Sequence, residues 1–235
     1  VSRAEFSHML NAALGNNSTA STSFRDVSGD AWYTADVKKA VAAGYASGYD
    51  DNSFKPSASI TRQEAAVMLS RVIPVYNSGA SLTKFKDASA VSSWATEPVS
   101  RAVGRGYLSG SEKGYLSPKG NLTRAEAVVL ICKLLEKETI VKTATSVTAN
   151  GTKLNDTIYS NGVNVSSSAN GDTTIDNCVV LGNLNVNGGR SVTASNSRVA
   201  NAMLQSSGTE LIARGETSIK NATVGASNQL TSSNV

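Results

Sequence analysis

The chain has 235 residues, 40% of them hydrophobic, with 22 Lys and Arg against 18 Asp and Glu. That length suits two domains, and the charge is spread thinly. Val1 to Glu138 carries 16 basic and 13 acidic residues and the remainder 6 and 5, which argues against nucleic-acid binding through a broad basic patch; no stretch approaches the ~20 apolar residues of a bilayer-spanning helix.

The first predicted element is a helix in residues 1–15, opened by Ser2-Arg3-Ala4-Glu5. A Ser or Thr followed three residues later by Glu is a capping box. The hydroxyl accepts from the amide of the Glu, and the Glu reaches back to the amide of the cap. The same arrangement returns at Thr61-Arg62-Gln63-Glu64 and Thr123-Arg124-Ala125-Glu126, each before an apolar run with helical spacing. Capping does not account for the arginine, because a cation in the first turn faces the positive end of the helix dipole. Placed there three times, it is expected to meet an anion. A chain that begins Val1-Ser2-Arg3, in mid-motif and without Met, reads as a piece of a longer protein.

Next come two segments that superimpose at an offset of 62: Trp32 on Trp94, Val37 on Val99, Gly44-Tyr45 on Gly106-Tyr107, Gly48 on Gly110 and Arg62 on Arg124. Residues 24–74 and 85–138 are thus a duplication, and residues 1–15 are the tail of an earlier copy. Each whole module predicts a first helix ending at Gly44 or Gly106, a loop, and a second, capped helix. Val37, Ala40, Val41 and Gly44 share one face, as do Ala65, Met68, Leu69 and Val72, and Ala127, Leu130, Ile131 and Leu134. One helix pair is too small to bury its own faces, so the modules are expected to share a core.

Within these modules Trp32 and Trp94 read as core anchors rather than sugar platforms. Tyr45, Tyr49 and Tyr107 suit either ring stacking or an amphipathic helix end, and Asp26 and Asp87 are expected to hold loop amides. Asp50-Asp51-Asn52 lacks the Gly and distal Glu of a calcium loop. His8 has no metal-ligand or catalytic companion. Cys132 and Cys178 fall in no CxxC or metal spacing and read as small buried residues, so no cofactor or metal is predicted.

After Val141 short β-rich pieces alternate with Asn and Gly turns. Leu184, Leu204 and Val224 are spaced by 20, Val180, Val199 and Ile219 by 19 and 20, and Val165 stands 19 before Leu184. A period of that length is one coil of a parallel β-solenoid, here three to four coils in residues 145–235. Asn177 and Asn196 are expected to stack at a turn, and Asp156 and Asp176 stand 20 apart. No cap is evident in Leu230 to Val235, so the last coil either leads into further chain or pairs with copies of itself. Of the acids Asp156, Asp172, Asp176, Glu210 and Glu216, only the last two share one coil near the end, a poor basis for glycosidase or lyase chemistry.

Phe24-Arg25-Asp26-Val27 before a Trp, Ala-x-x-x-Gly-Tyr, Gly48-Tyr49-Asp50-Asp51-Asn52-Ser53-Phe54-Lys55-Pro56 and Ile60-Thr61-Arg62-Gln63-Glu64-Ala65-Ala66 stand in fixed order. Together they resemble the S-layer homology module over roughly residues 1–136. The resemblance implies a pseudo-threefold assembly that grips secondary cell-wall polysaccharide, often one bearing a pyruvate ketal. It implies non-covalent anchoring of an exported protein at the bacterial surface, not catalysis. Carried over, the motif points to Arg62 and Arg124 directly and to Arg3 with Ser2 in place of Thr. Thr61, Thr123, Glu64, Glu126, Gly48, Tyr49 and Asp50 complete the expected ligand-binding set. In the last module Gly110-Ser111-Glu112-Lys113-Gly114-Tyr115-Leu116-Ser117-Pro118 departs from the Gly-Tyr-Asp-Asp loop. The overall expectation is an α plus β protein of two domains, helical modules and then a β-solenoid. Its rivals are a polysaccharide-processing enzyme and a structural surface-lattice protein.

Overall fold

A computed structural model describes residues 1–75, 79–225 and 227–233. Asn234 and Val235, the end of the segment expected to lack a cap, lie outside the described residues.

Among the described residues five α-helices form the first part: α1 (Arg3–Leu14), α2 (Thr34–Ala42), α3 (Arg62–Ser70), α4 (Thr96–Gly104) and α5 (Arg124–Lys137). α1, α3 and α5 each start in a complete capping box, from Ser2, Thr61 and Thr123. α2 and α4 end just before Gly44 and Gly106, which take φ of 76° and 73°, a conformation that costs a Cβ-bearing residue but not Gly. α1 packs on α2 and α3 on α4, so the capped helix of one module covers the first helix of the next. The repeated apolar faces bury Val37, Ala40, Ala65, Leu69, Val99, Ala127, Leu130 and Leu134 in one shared core.

The residues just before the three caps lock the modules together. Ile60 N donates to the Val1 carbonyl at 3.0 Å and Leu122 N to the Ile60 carbonyl at 2.8 Å. The Val1 amino group donates to the Leu122 carbonyl at 3.0 Å. The three bonds close a ring, the backbone signature of a pseudo-threefold axis. Among the described residues no helix is long and apolar enough to cross a membrane.

Among the described residues the second part holds twelve short strands: β1 (Thr139–Val141), β2 (Thr145–Val147), β3 (Lys153–Asn155), β4 (Thr157–Tyr159), β5 (Val163–Val165), β6 (Thr173–Asp176), β7 (Val179–Val186), β8 (Ser191–Ser195), β9 (Arg198–Leu204), β10 (Glu210–Arg214), β11 (Ser218–Val224) and β12 (Gln229–Ser233). All pairings between them are parallel, in two sheets. One stacks β1 and β2, β4 and β5, then β7, β9 and β11; the other runs β3, β6, β8, β10, β12. Each sheet has five levels, so the solenoid has five coils rather than three to four. The shortest strands are only three residues long, which is why the first coils escape a periodicity count.

The register corrects part of the expected stacking. Val180, Val199 and Ile219 do align, but Leu184 stands beside Ala202 and Val163, while Val165, Val186, Leu204 and Val224 form the next column. The cause is a register shift between Val180 and Asn183 in β7, where Leu181 and Gly182 oppose the single residue Ala200. Such a bulge re-aims a side chain. Leu181 leaves the solenoid core and joins the helical core with Ile158 and Val179. A Cβ on Gly182 would lie 2.7 Å from the Gly162 nitrogen, so the bulge is closed to larger residues.

The turn ladder also differs in detail. Asn177 and Asn196 stack as expected, both with positive φ, but Asp156 shares their conformation and accepts from Asn177 Nδ2 at 2.6 Å. Asp176 stands opposite Asn155 instead. Two burial expectations fail in the helical part. Both Trp are exposed, and Cys132 lies on the outer face of α5, whereas Cys178 is buried and its thiol is pushed up to about 11 by burial.

Candidate functional site

The capping boxes place three arginines at equivalent points around the pseudo-threefold axis, and each meets the capping Glu of a neighbouring module. Arg3 Nη1 lies 3.6 Å from Glu64, Arg62 Nη1 pairs with Glu126, and Arg124 Nη1 lies 3.8 Å from Glu5. The anion called for by the dipole argument is therefore supplied by the protein itself. Arg3, only 7% exposed, also donates to the carbonyls of Phe54 (3.0 Å) and Ser47 (3.2 Å). Arg62 does the same to Leu116 and Ser109, both at 2.9 Å. Each guanidinium thus fastens the long loop of the next module. Arg124, with its side chain 82% exposed, has no such loop over it among the described residues.

Two grooves lie beside these contacts. The first, of about 360 Å³, is bordered by Arg3, Gly48, Tyr49, Asp50, Glu64, Arg71 and Trp94. The second, of about 530 Å³, is bordered by Arg62, Gly110, Thr123, Glu126, Val129 and Lys133. They are copies: Gly48, Glu64 and Arg71 map at the offset of 62 onto Gly110, Glu126 and Lys133. In the first groove the Tyr49 hydroxyl donates to Glu64 Oε1 at 2.8 Å and its ring lies 4.7 Å from the Arg3 guanidinium. Burial and then the bond to Glu64 push the Tyr49 hydroxyl up to about 12, so it stays a donor at any physiological pH. Burial pushes the Glu64 carboxyl up, but the Thr61 hydroxyl and amide, Tyr49 and Arg3 together bring it below its ordinary value.

Gly48 shapes the loop sterically. A Cβ there would sit 2.3 Å from the Phe24 ring, and at Gly110 2.5 Å from Phe85. Asp26 accepts from the amides of Phe54 and Lys55, and Asp87 from those of Leu116 and Ser117, as expected of loop-holding acids. Tyr45 and Tyr107 are buried; Tyr45 bonds Asn11 and Tyr107 bonds Glu138, which settles both as internal residues.

Of the predicted site residues, Arg3, Gly48, Tyr49, Asp50 and Glu64 meet in the first groove, and Arg62, Thr123 and Glu126 in the second. Thr61 lies at the module seam, bridged to Asn121, and Arg124 stands apart from both grooves. Sequence reasoning missed Arg71 and Lys133, each nine residues after a motif arginine, although the duplication offset marks them as a recurring cation. It also misplaced Trp94, which is 57% exposed and walls the first groove from the following module. Trp32, 62% exposed, lies edge-on to Tyr33 and His8 instead.

One chain thus joins a helical repeat assembly, with two equivalent grooves, to a parallel β-solenoid. Residues 23–66 and 84–128 match the S-layer homology domain, and the chain carries these two domains ahead of its solenoid. It is 37% identical over 144 residues to an amylopullulanase of Thermoanaerobacterium thermosulfurigenes, 58% of this chain and 8% of that protein. It is 33% identical over 139 residues to the surface-layer 125 kDa protein of Lysinibacillus sphaericus, 58% of this chain and 12% of the relative. A cellulosome-anchoring protein of Acetivibrio thermocellus is 30% identical over 148 residues, 58% of this chain and 32% of the relative. The chain spans a third or less of the length of these curated relatives. The S-layer homology domains place it outside the cell, at the bacterial cell surface.

Proposed function

We propose that the helical part anchors the protein to the bacterial wall by holding an acidic secondary cell-wall polysaccharide, with the first groove as the principal site. The observation that carries this reading is the exposed Trp94 ring standing over a groove that also holds Arg71, a cation with no carboxylate partner among the described residues. An aromatic face stacks on a sugar ring and a guanidinium offers paired donors to a carboxylate. In this reading Arg3, Tyr49 and Glu64 hold the loop in shape, Asp50 and Gly48 form its rim, and Arg71 meets the acid. Arg62, Thr123, Glu126 and Lys133 form the equivalent second groove, and Arg124 marks the third position. Two or more grooves on one polymer would add avidity.

The enzyme reading has less support. Asp172 is bonded by Arg190 and Ser191, Glu216 by Arg101, Glu210 by Thr231 and Asp156 by Asn177. These acids are engaged in stacking the coils or docking the halves. The test is retention on purified wall polysaccharide, before and after chemical removal of its acidic substituents. Intact polymer should bind, stripped polymer should not, and Trp94→Ala and Arg71→Gln should each weaken binding about tenfold, on the order of 1.4 kcal/mol. Equal binding of stripped polymer, or none of the intact one, overturns the reading.

A further inference from the structure

On the far side of Trp94 lies a cleft of about 370 Å³ lined by helices and solenoid, and it shares Val67, Arg71 and Trp94 with the first groove. That cleft in turn meets a third hollow of about 430 Å³ over the face of β9 and β11, and Lys220 borders both. The three hollows thus lie in a row, each sharing lining residues with the next, from the helical module to the solenoid.

The middle cleft has a surplus of positive charge. Arg71, Arg198 and Lys220 all line it, and none forms an ion pair with a carboxylate among the described residues. The one carboxylate among its lining residues, Glu97, is paired with Arg101. The solenoid cations are held in place: Arg198 donates to the Ser70 carbonyl at the end of α3, and Lys220 to the Val41 carbonyl near the end of α2, at 2.7 Å. Burial and then the charge of Arg71 lower the Lys220 ammonium from its ordinary value, a repulsion that a bound anion would relieve. Past Lys220 the third hollow is lined by amides from successive coils, Asn183, Asn201 and Asn221, with Asn221 Nδ2 donating to Asn201 Oδ1 at 2.9 Å. Such a ladder presents donors and acceptors at the ~4.8 Å spacing of stacked strands.

We infer that the solenoid is part of the glycan site: a polymer seated in the first groove runs on past Trp94, where Arg71, Arg198 and Lys220 take a second acidic group and the Asn ladder takes hydroxyls of the following sugars. This rests on the wall-polysaccharide reading of the first groove and extends it from one sugar to a chain segment. The solenoid then acts as a length gauge, favouring polymer over free acidic monosaccharide.

The test compares two probes, a single pyruvylated hexoside and pyruvylated wall polysaccharide cut to defined lengths, on the full chain and on Lys220→Gln, Lys220→Arg and Asn221→Asp. The chain should bind polymer at least about tenfold more tightly per molecule than the hexoside, with affinity rising until the fragment spans the path. Lys220→Gln should cut that polymer-to-hexoside ratio about tenfold and Lys220→Arg should restore it. Asn221→Asp, which touches no helix terminus, should lower the ratio by charge alone. Wild-type ratios in both Lys220→Gln and Asn221→Asp overturn the extended site while leaving the groove reading intact. Failure of the unaltered chain to bind either probe overturns the groove reading itself, and this one with it.

Discussion

Arg3 and Arg62 sit where a helix dipole disfavours them, and what compensates is visible: a neighbouring module's carboxylate and two carbonyls of its loop. Removing such a side chain leaves a partly buried Glu and two carbonyls without their donor, which typically costs 3 kcal/mol or more for a buried pair. Arg3→Ala and Arg62→Ala are therefore expected to lower unfolding free energy by about 3 kcal/mol each. Arg124→Ala, at an exposed contact of 3.8 Å, should change it by less than about 0.5 kcal/mol. Urea titrations of the three variants check this, and equal effects at all three positions would contradict the division of roles. At this scale the caps were fully legible, because a capping box is a local pattern. The partner of the arginine was not, because it comes from another module, far away in the chain. The sequence shows that Arg3, Arg62 and Arg124 recur together with Glu5, Glu64 and Glu126, but only the structure shows that each arginine pairs with the Glu of a neighbouring module.

At the scale of the element, the three capped helices share one electrostatic device. The Glu5 carboxyl is lowered chiefly by the Ser2 amide; those of Glu64 and Glu126 are raised by burial but brought lower on balance by Thr61 and Thr123 and by the arginines. A carboxyl whose folded value lies below its unfolded one stabilises the fold above the unfolded value and loses that contribution as pH falls through the folded value. Stability is thus expected to hold near neutrality and to decline as pH drops below about 4.5, the ordinary Glu value. Glu64→Gln should be less stable at pH 7 and should show a shallower decline in acid, read from urea midpoints across that range. A decline as steep as in the unaltered chain would show that Glu64 is not among the groups responsible. Strands were less legible than helices for a related reason. A coil of the solenoid can lengthen by a residue or two, so a fixed period of 20 finds Val180, Val199 and Ile219 but loses phase at the β7 bulge, where Leu184 and Leu204 fall in different columns.

For the molecule as a whole, the change of pattern after Val141 marks a boundary between two domains, yet the structure joins them through a common core. Ile158, Val179 and Leu181 of the solenoid pack with the helical residues, and Arg198, Lys220 and Glu216 bond to Ser70, Val41 and Arg101 across the seam. No periodicity could reveal this, because the side chain that matters most is turned outward by a bulge, and a bulge is a break in the period. Leu181 is 1% exposed, and truncation of a buried Leu costs about 2–5 kcal/mol. If the seam couples the halves, tryptophan fluorescence, which reports Trp32 and Trp94 in the helical part alone, and circular dichroism at strand wavelengths should trace one coincident thermal transition. Leu181→Ala should lower both by a similar amount, even though the substitution lies in the solenoid and both Trp lie in the modules. A fluorescence transition that stays at its original temperature while the strand signal shifts would show two separately folding units. Because the proposed glycan path crosses this same seam, a shared transition would also mean that the two walls of the path form and dissolve together.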